Sequence, residues 1–329
     1  MRILHWNVVK KLSKDSTIIH ATTEAYNRSL TLGHTTVIVM MFSKSRSREA
    51  VNCVTSLNNV YSIPTSKLPI IAYALDGEVF KQMGALNIPC VNLEHYGLAI
   101  NTDTINSNTI NSDTIGSDYA TTKFQNIMRW KTCVVASTLM TGHNVLWMDT
   151  DIVCLKDVLG YLERNIPLQI DVAAQRDGDG QRFWTPGNTE DNVCMGFSFF
   201  RYNERTHVLF RTMIERASQV DSALKVLADV AKHNLSSIRN ADTVGKFFMG
   251  DQGTFNVVNT EKEMHKGLDN LKVFVLDPDL FCNGNIYFVH SKEASNSFNK
   301  DQVYMVHNNF IVGNDAKEKR FRSENLWFI

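Results

Sequence analysis

The chain has 329 residues, enough for one large α/β domain or two smaller ones, and its 34 basic residues balance its 34 acidic ones. That balance excludes a global field drawing it to nucleic acid or to acidic membrane. The N-terminal stretch has no apolar run long enough for a signal segment or membrane anchor. The chain as it stands therefore reads as cytoplasmic with no integral membrane segment, and a Golgi lumen would need an anchor outside it.

Residues 1–34 are polar and weakly patterned, an N-terminal extension packed on the domain or loosely ordered. Residues 36–42 (TVIVMMF) form a buried strand, and apolar residues at Ala50, Val51, Val54 and Leu57 give residues 48–58 a helical spacing. A strand over 68–75, a helix over 78–86 and a short strand over 89–93 follow. Alternation of this kind predicts a parallel, doubly wound sheet. Residues 100–118 are a repeat of the type Asn101-Thr102-Asp103-Thr104-Ile105. Its five-residue period fits neither helix nor strand, so the insert reads as an expanded surface loop.

Residues 119–141 have a helical pattern closed by Gly142, and lead into Val145-Leu146-Trp147-Met148-Asp149-Thr150-Asp151. Large apolar residues ending in two carboxylates mark a strand buried on both faces, and ligands bind beyond the carboxyl ends of such strands. If the backbone stays extended through Thr150, Asp149 and Asp151 project to one side, where they can share a divalent cation. Hard oxygen ligands select Mn²⁺ or Mg²⁺, with substrate phosphates completing the shell. Two other Asp-x-Asp runs read as turns: Asp177-Gly178-Asp179 is Gly-rich, and Pro278 in Asp277-Pro278-Asp279 closes a strand.

Further strands are predicted over 168–173, 195–201, 271–276 and 303–306, with helices over 156–164, 203–233 and from Gly250. His307-Asn308-Asn309 repeats the layout at Asp149, a polar cluster just past a buried strand, and makes His307 a candidate third metal ligand. Gly313 would let the backbone turn close to a diphosphate, and a lysine of the basic run after it would stabilise a departing diphosphate. Asp251-Gln252 offers a carboxylate and an amide for sugar hydroxyls or a cationic centre.

The residues Lys131, Leu146 to Asp151, Gly196-Phe197, Asp251-Gln252, His307-Asn308-Asn309, Gly313, Lys317, Arg320-Phe321 and Leu326-Trp327 occur in an order of their own. In that order the chain resembles the nucleotide-diphospho-sugar transferase domain of glycosyltransferase family 77, over about residues 36–327. The resemblance implies a Rossmann-like glycosyltransferase A fold, an α/β architecture with a mostly parallel central sheet flanked by helices, as a single catalytic domain over 35–329. It implies a retaining enzyme, dependent on Mn²⁺ or Mg²⁺, that moves galactose, xylose or arabinose from a UDP-sugar donor to a glycan or glycoprotein acceptor. On this basis Asp149, Asp151 and His307 hold the metal. Asp149, Thr150, Lys131, Phe42, Ser43, Asn308, Gly313 and Lys317 contact the donor, and Cys194, Met195, Gly196 and Asp251 shape the acceptor or sugar pocket. The catalytic candidates are Lys317, which stabilises the leaving diphosphate, and Gln252, preferred over Asp251 as support for the cationic centre.

Two alternatives stand beside this reading. A haloacid-dehalogenase-type phosphohydrolase would use Asp149 as nucleophile and Asp151 as general acid, although Ile152 stands where that motif usually has glycine. A catalytically inactive nucleotide-sugar-binding relative would keep the metal site without turnover. Six scattered cysteines with no C-x-x-C pair read as buried reduced thiols. Asn27-Arg28-Ser29 and Asn234-Leu235-Ser236 match the glycosylation sequon.

Overall fold

The computed structural model describes residues 6–96, 122–178, 192–231, 250–291 and 298–329. The repeat insert, Asp179 and the second sequon lie outside the described residues. Strand β1 (Thr36–Phe42) is buried at every position, because it is paired on both sides and covered on both faces. Strands β2 (Ile70–Ala74) and β4 (Asn144–Met148) run parallel to it, and β3 (Cys90–Asn92) extends the sheet beyond β2. On the far side of β4 lie β7 (Val193–Phe200), β6 (Val172–Arg176) and β8 (Val273–Val275), for an order β3-β2-β1-β4-β7-β6-β8. β7 alone is reversed, antiparallel to both its neighbours, while β6 and β8 are parallel. The mostly parallel α/β sheet expected from the sequence is therefore present.

Alternate residues of β1 enter two separate cores, as the two-residue period of a strand requires. Val37, Val39 and Met41 pack with α1 (Trp6–Leu12), α2 (Ser16–Thr31), α5 (Thr122–Leu139), α7 (Glu204–Ala231) and α8 (Asp251–Thr260). Ile38, Met40 and Phe42 pack with α3 (Ser47–Tyr61), α4 (Gly77–Ala85) and α6 (Val158–Asn165). Cover on both faces is what makes these strands apolar without alternation. Residues 6–31 of the N-terminal extension are two helices whose Val9, Leu12 and Ile18 belong to the first core. The Asp15 carboxylate caps α2 by accepting from the Thr17 N–H at 2.9 Å, and the helix buries Ile18, Ala21, Thr22, Ala25 and Ser29 along one face.

A small second sheet, β5 (Ile152–Cys154), β10 (Met305–His307) and β9 (Phe281–Cys282), stands beside the first. β10 is antiparallel to β5 and parallel to β9, and α9 (Asn314–Ser323) follows it. The buried Asn52 pins the chain after α9 onto α3: its amide donates to the Leu326 carbonyl at 3.0 Å and accepts from the Phe328 N–H at 2.6 Å. Asp277-Pro278-Asp279 is a turn as read, with the Asp277 carbonyl accepting from Leu280 and Phe281 at 3.1 and 2.8 Å. All six cysteines are free. Among the described residues no helix is long and apolar enough to cross a membrane.

Candidate active site

The chain does not stay extended through Thr150: β4 stops at Met148, residues 150 and 151 form a turn, and β5 starts at Ile152. Asp149 and Asp151 still converge, for a tertiary reason. β10 pairs with β5 so that His307 lies opposite Ile152, and the Asn308 N–H donates to the Asp151 carbonyl at 2.8 Å. One ligand atom from each of Asp149, Asp151 and His307 then lies within 4.8 Å of the others.

The roles of the individual oxygens are divided. Asp149 Oδ1 accepts from Lys131 Nζ at 3.1 Å and from Trp147 Nε1 at 2.7 Å. Asp151 Oδ2 pairs with the Lys317 ammonium. The remaining oxygens, Asp149 Oδ2 and Asp151 Oδ1, stand 3.9 and 3.4 Å from His307 Nε2. Two carboxylate oxygens and an imidazole nitrogen gathered around one point, each carboxylate backed by a lysine, form a donor set that fits a divalent cation. Burial opposes charge on both Asp151 and His307. Even so, Lys317 and His307 hold the Asp151 carboxyl well below its ordinary range, and Asp151 pushes the imidazole up to about 10. A proton on Nε2 and a cation thus compete for the same carboxylates.

A bulge in β7 makes room for this cluster. Ala174 pairs with Ser198, yet the next residue of β6, Gln175, pairs with Cys194, so Met195, Gly196 and Phe197 drop out of that ladder. The Gly196 carbonyl accepts from the Asp149 N–H at 2.8 Å, and the Met195 carbonyl accepts from Lys131 Nζ at 2.8 Å. A Cβ on Gly196 would lie 2.2 Å from His307 Cε1 and 2.9 Å from Asp149 Oδ2, so glycine alone admits the imidazole.

Lys131 is buried and its Nζ also stands 2.8 Å from Asp251 Oδ2 and 4.7 Å over the Trp147 ring. Burial disfavours its charge, but the Asp149 and Asp251 carboxylates together raise its pKa above the ordinary value. Lys131 therefore ties the end of β4 to the first residue of α8. The next residue, Gln252, accepts at Oε1 from the Met195 N–H at 3.3 Å and donates from Nε2 to Asp177 Oδ2 at 2.7 Å. Asn308 is wholly buried and ties α9 to β10: its amide donates to the Lys317 carbonyl at 2.8 Å and accepts from Arg320 Nε at 2.6 Å. Gly313, at φ 97°, takes the left-handed conformation that lets α9 start one residue later.

Phe42 is the last residue of β1 and Ser43 follows it. Ser43 Oγ is 2.9 Å from Ser45 Oγ, and the Ser45 carbonyl accepts from Asn314 at the start of α9 at 2.6 Å. Thr150 is buried in the turn, Met195 is buried, and Cys194 Sγ lies 3.7 Å from His307 Nδ1. Residues that touch the site without an assigned role in sequence include Trp147, Gln175, Asp177 and Arg320. The one available signal was a glutamine within the run Val172-Ala173-Ala174-Gln175.

The profile of the nucleotide-diphospho-sugar transferase family matches residues 69–321. Over 223 residues the chain is 27% identical to the UDP-galactose:fucoside alpha-3-galactosyltransferase of Dictyostelium discoideum, a match covering 64% of this chain and 29% of that protein. Over 195 residues it is 25% identical to UDP-D-xylose:L-fucose alpha-1,3-D-xylosyltransferase 3 of Arabidopsis thaliana, covering 58% and 44% respectively. The chain thus spans less than half the length of either relative. Among solved structures, mouse xyloside xylosyltransferase 1 aligns at a TM-score of 0.45 and 12% identity, over 83% of this chain and 97% of that one. The family profile takes in Asp149, Asp151, His307, the Lys131–Asp251 bridge and α9 as far as Phe321, and the chain belongs to the nucleotide-diphospho-sugar transferase family.

Proposed function

We propose that this chain transfers a sugar from a UDP-sugar donor to a fucose-bearing glycan or glycoprotein, with retention of anomeric configuration and with Mn²⁺ or Mg²⁺ held by Asp149, Asp151 and His307. The observation that carries the proposal is the division of oxygens at the cluster, one of each carboxylate held by a lysine and the other turned toward His307 Nε2. Galactose and xylose are the favoured donor sugars, ahead of arabinose, because the matched relatives are named for UDP-galactose and UDP-D-xylose and for fucose acceptors. Residues 35–329 act as one catalytic domain, with the extension packed against it.

A bound cation would neutralise charge on the donor diphosphate. Lys317, in the first turn of α9, has three ammonium donors, of which Asp151 takes one, and offers the rest to the leaving diphosphate. Thr150 and Gly313, with Phe42 and Ser43, frame the nucleotide side, Asn308 supports it from behind by fixing Lys317 and Arg320, and Cys194, Met195 and Gly196 frame the sugar side. The bond from the anomeric carbon to the diphosphate oxygen breaks as the acceptor hydroxyl oxygen bonds to the same face. The hydroxyl proton passes to the departing diphosphate. Gln252, oriented through Asp177, supports the cationic centre with its carbonyl dipole. Asp251 is held at 2.8 Å by Lys131, which makes it a holder of sugar hydroxyls in preference to a nucleophile.

The test is incubation with UDP-galactose or UDP-xylose, an L-fucoside and Mn²⁺. Acceptor-dependent UDP release, abolished by chelator and restored by Mn²⁺, is expected, with an α-linked product by NMR. Donor binding without release would leave an inactive relative. Phosphate release from simple phosphoesters would revive the Asp149 nucleophile. A β-linked product would contradict retention.

A further inference from the structure

Gln175 is a wholly buried amide in a strand whose other buried residues are valine and alanine. It stands where the β6–β7 ladder slips, and that slip aims it across the bulge at the metal-ligand cluster. Its Oε1 is 2.8 Å from His307 Nδ1, and its Nε2 donates to the Phe281 carbonyl of β9 at 3.1 Å. The polarity of this relay is forced. A backbone carbonyl only accepts, so the amide nitrogen must face Phe281 and the amide oxygen must face His307. An amide oxygen also only accepts, so Nδ1 must carry the hydrogen. Nε2, which faces Asp149 Oδ2 and Asp151 Oδ1, is then the nitrogen whose lone pair is available in the neutral ring. The other group near Nδ1 is Cys194 Sγ at 3.7 Å, a weaker acceptor toward which Asn309 Nδ2 already donates from 3.8 Å.

We propose that Gln175 is a positioning residue for the cation site, which holds His307 in the Nδ1–H tautomer so that Nε2 presents its lone pair to the metal. The inference rests on Asp149, Asp151 and His307 being the metal ligands. Without the amide, only the weak acceptor Cys194 Sγ remains at Nδ1, and the ring is free to carry its hydrogen on Nε2 instead, where it points between the two carboxylates and blocks ligation. Hydrogen-bond partners of ligating histidines typically change metal affinity by ~10- to 100-fold.

A purely structural role is the rival, since Gln175 also links β6 to β9 through Phe281. Two variants separate the roles. Gln175→Met fills the volume without an acceptor, and Gln175→Glu keeps an acceptor for Nδ1–H. The full chain is titrated with Mn²⁺ alone, and free Mn²⁺ is read by electron paramagnetic resonance. Gln175→Met should bind Mn²⁺ ~10- to 100-fold more weakly, and Gln175→Glu should bind as tightly as wild type or more so. Wild-type affinity in Gln175→Met, or equal losses in both variants, would overturn the inference. If the wild-type chain binds no Mn²⁺, the ligand assignment itself fails, and this inference with it. Should Gln175→Met not fold, nitrogen-15 histidine spectra of the Zn²⁺-loaded wild-type chain decide, with His307→Gln assigning the signal. Hydrogen on Nδ1 supports the proposal, and hydrogen on Nε2 overturns it.

Discussion

Gly196→Ala adds a single methyl group where the site has no space for it. The added Cβ would lie 2.2 Å from His307 Cε1, against an ordinary carbon contact of about 3.5 Å, a shortfall of roughly 1.3 Å (3.5 less 2.2). The ring is poorly placed to retreat: Gln175 holds Nδ1 at 2.8 Å, and the backbone of His307 is paired with β5. Either the imidazole or the β7 bulge must therefore move by about an ångström. Displacement on that scale at a reacting centre costs on the order of 100-fold in turnover. Overpacking of this kind typically costs ~1–3 kcal/mol, or a melting drop of roughly 2–12 °C at ~2–4 °C per kcal/mol. The assay is initial UDP release at saturating fucoside, with thermal melting alongside. Gly250→Ala is the control, because a Cβ there meets nothing within 4 Å and its φ of −74° suits any residue. Wild-type rate and melting in Gly196→Ala would refute the claim that this glycine admits the imidazole.

Lys317→Ala should lower kcat by ~100- to 1000-fold while weakening donor binding less; an effect confined to the donor KM would make it a binding residue only. Lys131→Met leaves the Asp149 and Asp251 carboxylates without their shared cation, and breaking a buried pair in this way costs ~3–5 kcal/mol, readable by denaturant unfolding. An unchanged unfolding midpoint would contradict the bridging role. Glu163, distant from the site, accepts from the Thr35 N–H at 2.7 Å and from the Thr35 and Thr36 hydroxyls at 3.0 Å, with His34 Nδ1 at 3.1 Å. Burial works to raise its pKa, but His34 and these donors outweigh it and leave the carboxyl below its ordinary 4.5. A carboxylate depressed by folding adds stability above its ordinary value and loses it as the pH falls through the folded value, so stability should decline below about pH 4.5. Glu163→Gln should flatten that decline in melting temperature against pH, and an unchanged acid limb would count against the assignment.

The elements that could be read from sequence are those whose burial is complete. β1 and β7 are buried along their whole length and mostly apolar because helices cover both faces, and no alternation is needed to find them. α2 was hidden for the opposite reason. Its inward face of Ile18, Ala21, Thr22, Ala25 and Ser29 has a helical spacing, but little of it is apolar area. β5 and β9 are three and two residues long and owe their existence to β10, so local pattern does not mark them. Asp149 and Asp151 were legible as a pair, yet the extended geometry that would bring them together is absent. The turn at residues 150 and 151 and the pairing of β5 with β10 bring them to His307 instead. Asp177 read as a turn residue, and its contact with Gln252 comes from a separate segment packing across it. Contacts of that kind depend on register between distant strands, which composition and spacing do not encode.

The most direct test of the account is a crystal of the chain grown with Mn²⁺ and UDP, with the cation located by anomalous scattering. One Mn²⁺ bound by Asp149 Oδ2, Asp151 Oδ1 and His307 Nε2, with the diphosphate on its open side, is the expected result. A Mn²⁺ peak elsewhere, or UDP bound with these three side chains still facing only one another, would contradict it.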